Sequence, residues 1–332
     1  MSPHQVRIVA PNPQSLEKIK DIAHRNGFLV SINSWGFEIN APLGHVSFRY
    51  EGTDLVAAFS APSVAELQML KEIYAERFAN LVLSDKVTWS SPSSKKPLNQ
   101  ISAEVISSNQ ISPNFVRVRL AGEFEVFTER AAGMHFRFLF GPDGAELPSL
   151  DENGLTWWPG GIQAWHRPVF TVRGLGPKSD WIEVDIALHP GGRTSAWCQS
   201  VEVGTKIGLN GPSGSKMPTA KNLMLFGDET AMPVILRIIE QAPRETSGQA
   251  FVAVQGRQDI QQPKNSDKFD MHWLYMKDPN ALNNELERCL FDNSNAYVMF
   301  AAERTQADQA RQFLKASDLS SEQFRVASYW TR

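Results

Sequence analysis

Arg167-Pro168-Val169-Phe170-Thr171-Val172-Arg173 sets an aromatic ring and a hydroxyl between two guanidinium groups within one short β-like run. That combination suits a flat, phosphate-bearing cofactor such as a flavin dinucleotide. A cation can meet the pyrophosphate, an apolar ring can lie against the isoalloxazine, and a hydroxyl can meet its polar edge. The period of two in a strand puts Arg167, Val169, Thr171 and Arg173 on one face, so Phe170 joins them only through a twist or bulge. An exposed strand with ordinary arginines accounts for the same residues, and the stretch alone does not choose.

Two later stretches carry related chemistry. The run Trp181–Ile186, which holds Asp185, leads towards His189-Pro190-Gly191-Gly192-Arg193-Thr194-Ser195-Ala196-Trp197. Glycines at a strand-to-helix junction let a phosphate approach the free N–H groups of the helix N-terminus. A turn capped by Thr194 or Ser195 is the plainer alternative, and His189 either touches a cofactor or simply satisfies the loop. Next, Gly227-Asp228-Glu229-Thr230-Ala231-Met232-Pro233 joins the apolar run Leu223–Phe226 to a helix, where open α/β sheets have their ligand crevice. Two carboxylates would repel a pyrophosphate, so a dinucleotide would meet this turn through ribose or nicotinamide. Helix capping, with Thr230 as N-cap and Pro233 in the first turn, explains it equally well. Gly211-Pro212-Ser213-Gly214-Ser215-Lys216 lacks the spacing of a phosphate loop and reads as a turn.

The elements that must hold these stretches fall into three textures. Residues 14–25 read as a helix ending at Gly27, and short alternating runs follow. Ser63-Val64-Ala65-Glu66 then makes a capping box for a second helix, completing a small α+β domain over 1–90. The Pro/Ser-rich stretch 91–98 reads as a linker. Over 99–218 the pattern is β-rich without intervening helices, which predicts an antiparallel barrel. Over 219–332 a β-α-β rhythm predicts a parallel sheet of nucleotide-binding type, with Thr305 as N-cap of a late helix.

Composition bounds the reading. The 332 residues are 42% hydrophobic with 19 Phe and 9 Trp, enough for several packed cores. A formal charge of −3 argues against a nucleic-acid binder. Cys198 and Cys289 form no metal or disulfide pattern, and no cluster suggests a metal site. The start has no long apolar run, and no stretch is apolar enough for a membrane span, so a cytoplasmic protein without membrane insertion is expected.

Taken in order and spacing, these stretches resemble the siderophore-interacting protein family of flavin-dependent ferric-siderophore reductases. The family's R-x-Y-T-x-R corresponds to Arg167–Arg173, its H-G-x-G-x-A-S-x-W loosely to His189–Trp197, and its G-D-E-T-A-x-P to Gly227–Pro233. Its late A-G-E and closing Y-W correspond to Ala301-Ala302-Glu303 and Tyr329-Trp330. The resemblance spans about 100–332; residues 1–90 resemble a small domain of unknown function found alone or fused to such reductases.

The resemblance implies FAD in the barrel and NADPH, NADH or a ferredoxin as electron donor. It implies Arg167, Val169, Phe170, Thr171, Val172 and Arg173 along the flavin strand, with Asp185, His189, Gly191, Gly192, Thr194, Ser195 and Trp197 completing the cofactor set. Asp228, Glu229 and Thr230 would face the nicotinamide, Thr171 and Trp330 would position the flavin, and no protein group is required as proton donor. Lys216, Arg304 and Arg332 are the cations expected to meet an anionic ferric siderophore. Phe170 stands for the family's tyrosine, Pro190 for a glycine, and Arg193-Thr194 for Pro-Ala. Two other functions use the same residues: reduction of flavin, quinone or another metal chelate, and siderophore binding without catalysis.

Overall fold

The computed structural model describes residues 4–81, 87–90, 94–128, 133–264, 267–275, 278–290 and 296–331. The chain forms two compact units, Met1–Gln100 with Leu139–Arg167, and Ile101–Phe138 with Pro168–Arg332.

The N-terminal part of the first unit is a small α+β fold of β1 (Gln5–Ile8), α1 (Pro13–Arg25), β2 (Leu29–Asn33), β3 (Gly36–Ala41), β4 (Gly44–Glu51), β5 (Asp54–Ser60), α2 (Val64–Asn80) and β6 (Val87–Trp89). The strands pair antiparallel in the order β2-β3-β4-β5-β1-β6. Alternation turns Phe37, Ile39, Val46, Phe48, Leu55, Ala57 and Phe59 to one face, where Leu16 and Ile19 of α1 and Leu67, Leu70, Tyr74 and Phe78 of α2 cover them. The capping box forms as the spacing predicts: Ser63 Oγ accepts from the Glu66 amide at 3.2 Å. Of the expected linker, residues 91–93 lie outside the described residues.

The second unit opens with β7 (Gln100–Ser112), β8 (Phe115–Gly122) and β9 (His135–Leu139). From β9 the chain runs out into the first unit, makes the short hairpin β10 (Ser149–Leu150) and β11 (Thr156–Trp157), and returns as β12 (Val169–Thr171). β13 (Gly174–Leu175), β14 (Trp181–Ala187), α3 (Arg193–Ser200) and β15 (Lys206–Ser213) follow. Sheet order is β12-β9-β15-β7-β8-β14-β13. Its two outer strands, β12 and β13, are separated in sequence only by Val172 and Arg173, so the sheet closes on itself. The closure is visible in the backbone: Val172 N–H donates to Met134 O beside β9 at 3.0 Å, and Arg173 N–H to Glu183 O of β14 at 2.8 Å.

The remainder is β16 (Asn222–Gly227), α4 (Met232–Gln241), β17 (Ser247–Val254), β18 (Phe269–Tyr275), α5 (Ala281–Leu290), β19 (Tyr297–Glu303), α6 (Arg304–Ala316) and β20 (Phe324–Trp330). All pairings are parallel, in the order β18-β17-β16-β19-β20. Both faces are covered, one by α4 and the other by α5 and α6, which is why the central strands are apolar without alternation.

Several local readings differ from the structure. α6 is capped by Glu303, whose carboxylate accepts the Thr305 amide at 2.6 Å, instead of by Thr305. α4 begins after Ala231, because Thr230 is drawn onto Asp228. α3 begins after Gly192 with no side-chain cap. Gly211, Pro212 and Ser213 end β15, with a cis Gly211–Pro212 bond, so only the second half of that stretch is a loop. Cys198 and Cys289 are buried and form no disulfide, and burial pushes the Cys198 thiol up to about 11. Among the described residues no helix is long and apolar enough to cross a membrane, and no His/Cys/Asp/Glu group could hold a metal ion.

Candidate functional site

β12 pairs antiparallel with β9, setting Val169, Phe170 and Thr171 opposite Arg137, Phe136 and His135. Val169 is exposed, Phe170 half-buried, and Thr171 and Val172 are both buried. Two consecutive buried residues break strict alternation, because here the chain leaves β9 for β14. Phe170 therefore does not share the face of Thr171. Its ring meets Phe138 edge-on at 5.4 Å, and Phe138 in turn meets Trp197 of α3 at 5.2 Å. An accessible aromatic thus rests on a buried one that also braces α3. Arg167 belongs to the first unit, where its guanidinium lies 4.9 Å from the Trp158 ring.

Arg173 is held by carboxylates: its guanidinium takes Glu240 of α4 at 2.6 and 2.8 Å and lies 3.7 Å from Asp185. Asp185, on β14, is itself gripped by Arg117 at 2.6 and 2.8 Å. These two expected cofactor residues are therefore joined to each other, tying the barrel closure to α4. Arg237 adds a second tie, donating to the carbonyls of Val172 at 2.8 Å and Met134 at 3.3 Å. Burial, and then the charge of Arg173, lower its guanidinium to about 10. Arg237 escaped the sequence reading, although an arginine inside the apolar run Val234–Ile239 was visible there.

At the glycine turn, Gly191 has φ +74°, a conformation that suits glycine. His189 is exposed, its amide donates to Ser195 Oγ at 3.1 Å, and its ring fills the space beside Gly192, where a Cβ would lie 2.3 Å from it. Thr194 and Ser195 are buried in the first turn of α3, whose N-terminus carries no side-chain cap. Such an end offers N–H groups and a positive dipole to an anion. Trp197 is half-buried one turn further on.

Asp228 follows β16 at the switch point between β16 and β19 and is 1% exposed. One carboxylate oxygen accepts Thr230 N–H at 2.9 Å and Thr230 Oγ1 at 2.6 Å. The other accepts Glu303 N–H at 3.0 Å and Trp330 Nε1 at 2.7 Å. Burial pushes its carboxyl up, against the pull of these donors. Asp228, Thr230 and Trp330 thus form one fastening across the carboxyl ends of β16, β19 and β20. Glu229 differs: one of its oxygens meets Gln255 Nε2 at 3.4 Å, and the other is buried without a hydrogen bond. Burial, and then the charge of Asp228, raise it to about 7. Gly227 admits no side chain here, since a Cβ would lie 2.7 Å from that of Ala231.

A further pair had no signal in the sequence. His135 Nε2 and Tyr329 Oη lie 2.8 Å apart, joining β9 to β20, and His135 Nδ1 is buried without a hydrogen bond. Burial, with the charges of Arg237 and Arg325, lowers His135 to about 4, and burial raises Tyr329. Of the expected substrate cations, Lys216 is exposed after β15 and Arg304 is exposed at the start of α6. Arg332 lies outside the described residues.

A closed antiparallel barrel followed by a parallel sheet with its crevice at the switch point is the ferredoxin-reductase-like fold. Residues 104–216 match the family model for the siderophore-interacting FAD-binding domain, and residues 220–332 match the siderophore-interacting protein model. The chain belongs to the siderophore-interacting protein family. It is similar to a siderophore utilization protein from T. fusca, with TM-score 0.62 and 26% identity over 72% of this chain and 95% of that one. It is 29% identical to the ferric vibriobactin reductase ViuB of Vibrio cholerae, over 53% of this chain and 66% of that protein. It is also 25% identical to an NADPH-dependent ferric-chelate reductase of Escherichia coli, over 68% of this chain and 91% of that protein. The chain thus spans slightly under two thirds of the vibriobactin reductase. The uncapped α3 N-terminus and the accessible Phe170 ring fit the phosphates and the ring system of FAD respectively.

Proposed function

We propose that this protein reduces the Fe(III) of a ferric siderophore, using FAD held in the barrel and electrons from NADPH or NADH. The observation that carries the reading is the juxtaposition, in a barrel of FAD-binding class, of Phe170, Phe138 and Trp197 with the uncapped first turn of α3. FAD, where bound, would supply the redox chemistry that couples two-electron oxidation of the nicotinamide to one-electron reduction of Fe(III), and a siderophore holds Fe(II) far less tightly.

The chain's own groups do the positioning. Phe170 offers a ring face from β12, and the amides of Thr194 and Ser195 meet the pyrophosphate. Val172 and Thr171, buried behind Phe170, fix the strand. Arg173 and Asp185 hold the barrel closure against α4 and act on the flavin through it. On the nucleotide side, Asp228, Thr230 and Trp330 shape the crevice, and Glu229 with Gln255 lines it. Protonated, Glu229 donates a hydrogen bond without repelling the nucleotide. Lys216, Arg304 and Arg332 remain the cations proposed for an anionic siderophore. Residues 99–218 serve the flavin and 219–332 the donor nucleotide. Two buried cysteines that form no disulfide favour a reducing compartment, and NADPH or NADH as donor supports a cytoplasmic reaction.

The test is the visible spectrum of the purified protein with FAD, before and after NADPH or NADH, followed by turnover of a ferric catecholate or hydroxamate siderophore. A yellow protein bleached by one nucleotide and reoxidised by the ferric siderophore is expected. Bleaching only by reduced ferredoxin would move the donor to that partner. Turnover of quinones but of no ferric siderophore, with any donor, would overturn the reading.

A further inference from the structure

A helix lying on a sheet normally shows its polar side chains to solvent, and α2 does so at Glu76 and Asn80 but not at Gln68 and Lys71. Leu67, Leu70, Tyr74 and Phe78 enter the core of the first unit, but Gln68 and Lys71 are also almost wholly covered, 0% and 4% exposed. Burying an amide and an ammonium is costly unless something bonds them, and burial indeed lowers the Lys71 amine.

The cover is the tip of the excursion between β9 and β12. Gly154 O accepts from both Gln68 Nε2 and Lys71 Nζ at 3.4 Å. Glu72 Oε1 accepts from Gln68 Nε2 at 3.0 Å and from Thr156 Oγ1. Leu155, between them, packs against the core of the N-terminal fold. The tip is pre-shaped for this: Asp151 Oδ1 accepts the amides of Asn153 and Leu155 at 2.9 Å, and Gly154 takes φ +68°. A second fastening is Leu150 N–H to Lys95 O at 2.6 Å.

The excursion is also continuous with the flavin strand. At its base Phe140 and His166 exchange backbone hydrogen bonds at 3.0 and 2.9 Å. The ladder carries on through Phe138 N–H to Pro168 O at 3.0 Å and into the pairing of β9 with β12. β12 is only three residues long, and connections as long as this one rarely stay ordered unsupported.

We propose that residues 1–90 act as a clamp on the Leu139–Arg167 excursion, and that clamping it holds the chain in register where it becomes the flavin strand. Gln68, Lys71, Glu72 and Leu155 are then positioning residues for the cofactor. The inference rests on the flavin reading above.

The experiment compares the full-length wild type with Leu155→Ala, Leu155→Met and the double variant Gln68→Ala/Thr156→Val, which leaves the core intact. FAD affinity is measured by fluorescence titration, and hydrogen exchange is followed in peptides covering 149–157, 168–173 and 222–227. Leu155→Ala and the double variant should bind FAD about tenfold more weakly, equivalent to about 1.4 kcal/mol. Exchange should quicken at 149–157 and 168–173 and stay unchanged at 222–227, and Leu155→Met should restore both readouts. Faster exchange confined to 149–157, with FAD affinity within about twofold of wild type, would overturn the clamp. Wild-type protein that binds no FAD refutes the flavin reading instead, and the exchange of 168–173 in the variants then decides the clamp by itself.

Discussion

Replacing Asp228 with asparagine isolates the fastening at the carboxyl edge of the parallel sheet. The carboxylate accepts from four donors: Thr230 N–H, Thr230 Oγ1, Glu303 N–H and Trp330 Nε1. Asparagine has one acceptor oxygen and one amide that only donates. With the amide toward Glu303 and Trp330, two buried donors would face a third. The side chain will therefore turn its amide toward Thr230, whose hydroxyl can rotate and accept. That leaves the Thr230 amide stranded, a loss of about 1–3 kcal/mol. Removing a carboxylate that burial already disfavours offsets part of this, so Asp228→Asn should cost about 1–2 kcal/mol. Asp228→Ala strands three backbone or indole donors and opens a gap, and should cost about 4 kcal/mol or more. Urea unfolding at pH 7, fitted for both variants with a common slope, reads the difference. Equal losses for Asn and Ala, or none for either, would refute the account of Asp228 as a four-donor fastening.

Glu229 should make stability fall with pH in a way that Glu229→Gln abolishes. Its folded-state value, about 7, lies above the ordinary 4.5, so the folded protein holds an extra proton between them. That stabilisation is complete below about pH 4.5 and is lost as pH rises through 7. At about 1.4 kcal/mol per pH unit the upper bound is about 3 kcal/mol, so the glutamine variant should gain on wild type between pH 5 and pH 8; a pH-independent difference in urea unfolding refutes it. At Phe170, tyrosine keeps the ring and adds a hydroxyl worth up to about 1.5 kcal/mol if bonded. FAD titration should show Phe170→Tyr binding at least as tightly as wild type, and weaker binding would show that the ring does not lie against the flavin.

Much of this molecule was readable locally. The Ser63–Glu66 capping box, the helix ending before Gly27 and the apolar strands Leu223–Phe226 and Ala250–Val254 depend on neighbours in sequence, and they stand where spacing puts them. The β-rich stretch followed by a β-α-β rhythm was enough for barrel and parallel sheet. Capping was less readable, because a cap can be borrowed. Thr305 looks like an N-cap until Glu303 folds back onto its amide, and Thr230 looks like one until Asp228 takes both its donors.

The candidate site divides along the same line. Residue types at Arg167–Arg173, His189–Trp197 and Gly227–Pro233 name a chemistry, because phosphate, ring and crevice each need particular groups at short range. What each group actually touches depends on partners far away in sequence. Arg173 meets Glu240, Asp228 meets Trp330, and His135 meets Tyr329 only once the barrel closes and the last strand docks. Gln68 and Lys71 carry no local signal of burial, because the residue that covers them, Gly154, comes more than eighty positions later. Local propensity, alternation and turn residues were enough for the elements and the class of chemistry. Which charged groups are bound into the fold and which, like Glu229, keep an oxygen for something else depends on burial and long-range pairing, which arise only when the chain is folded.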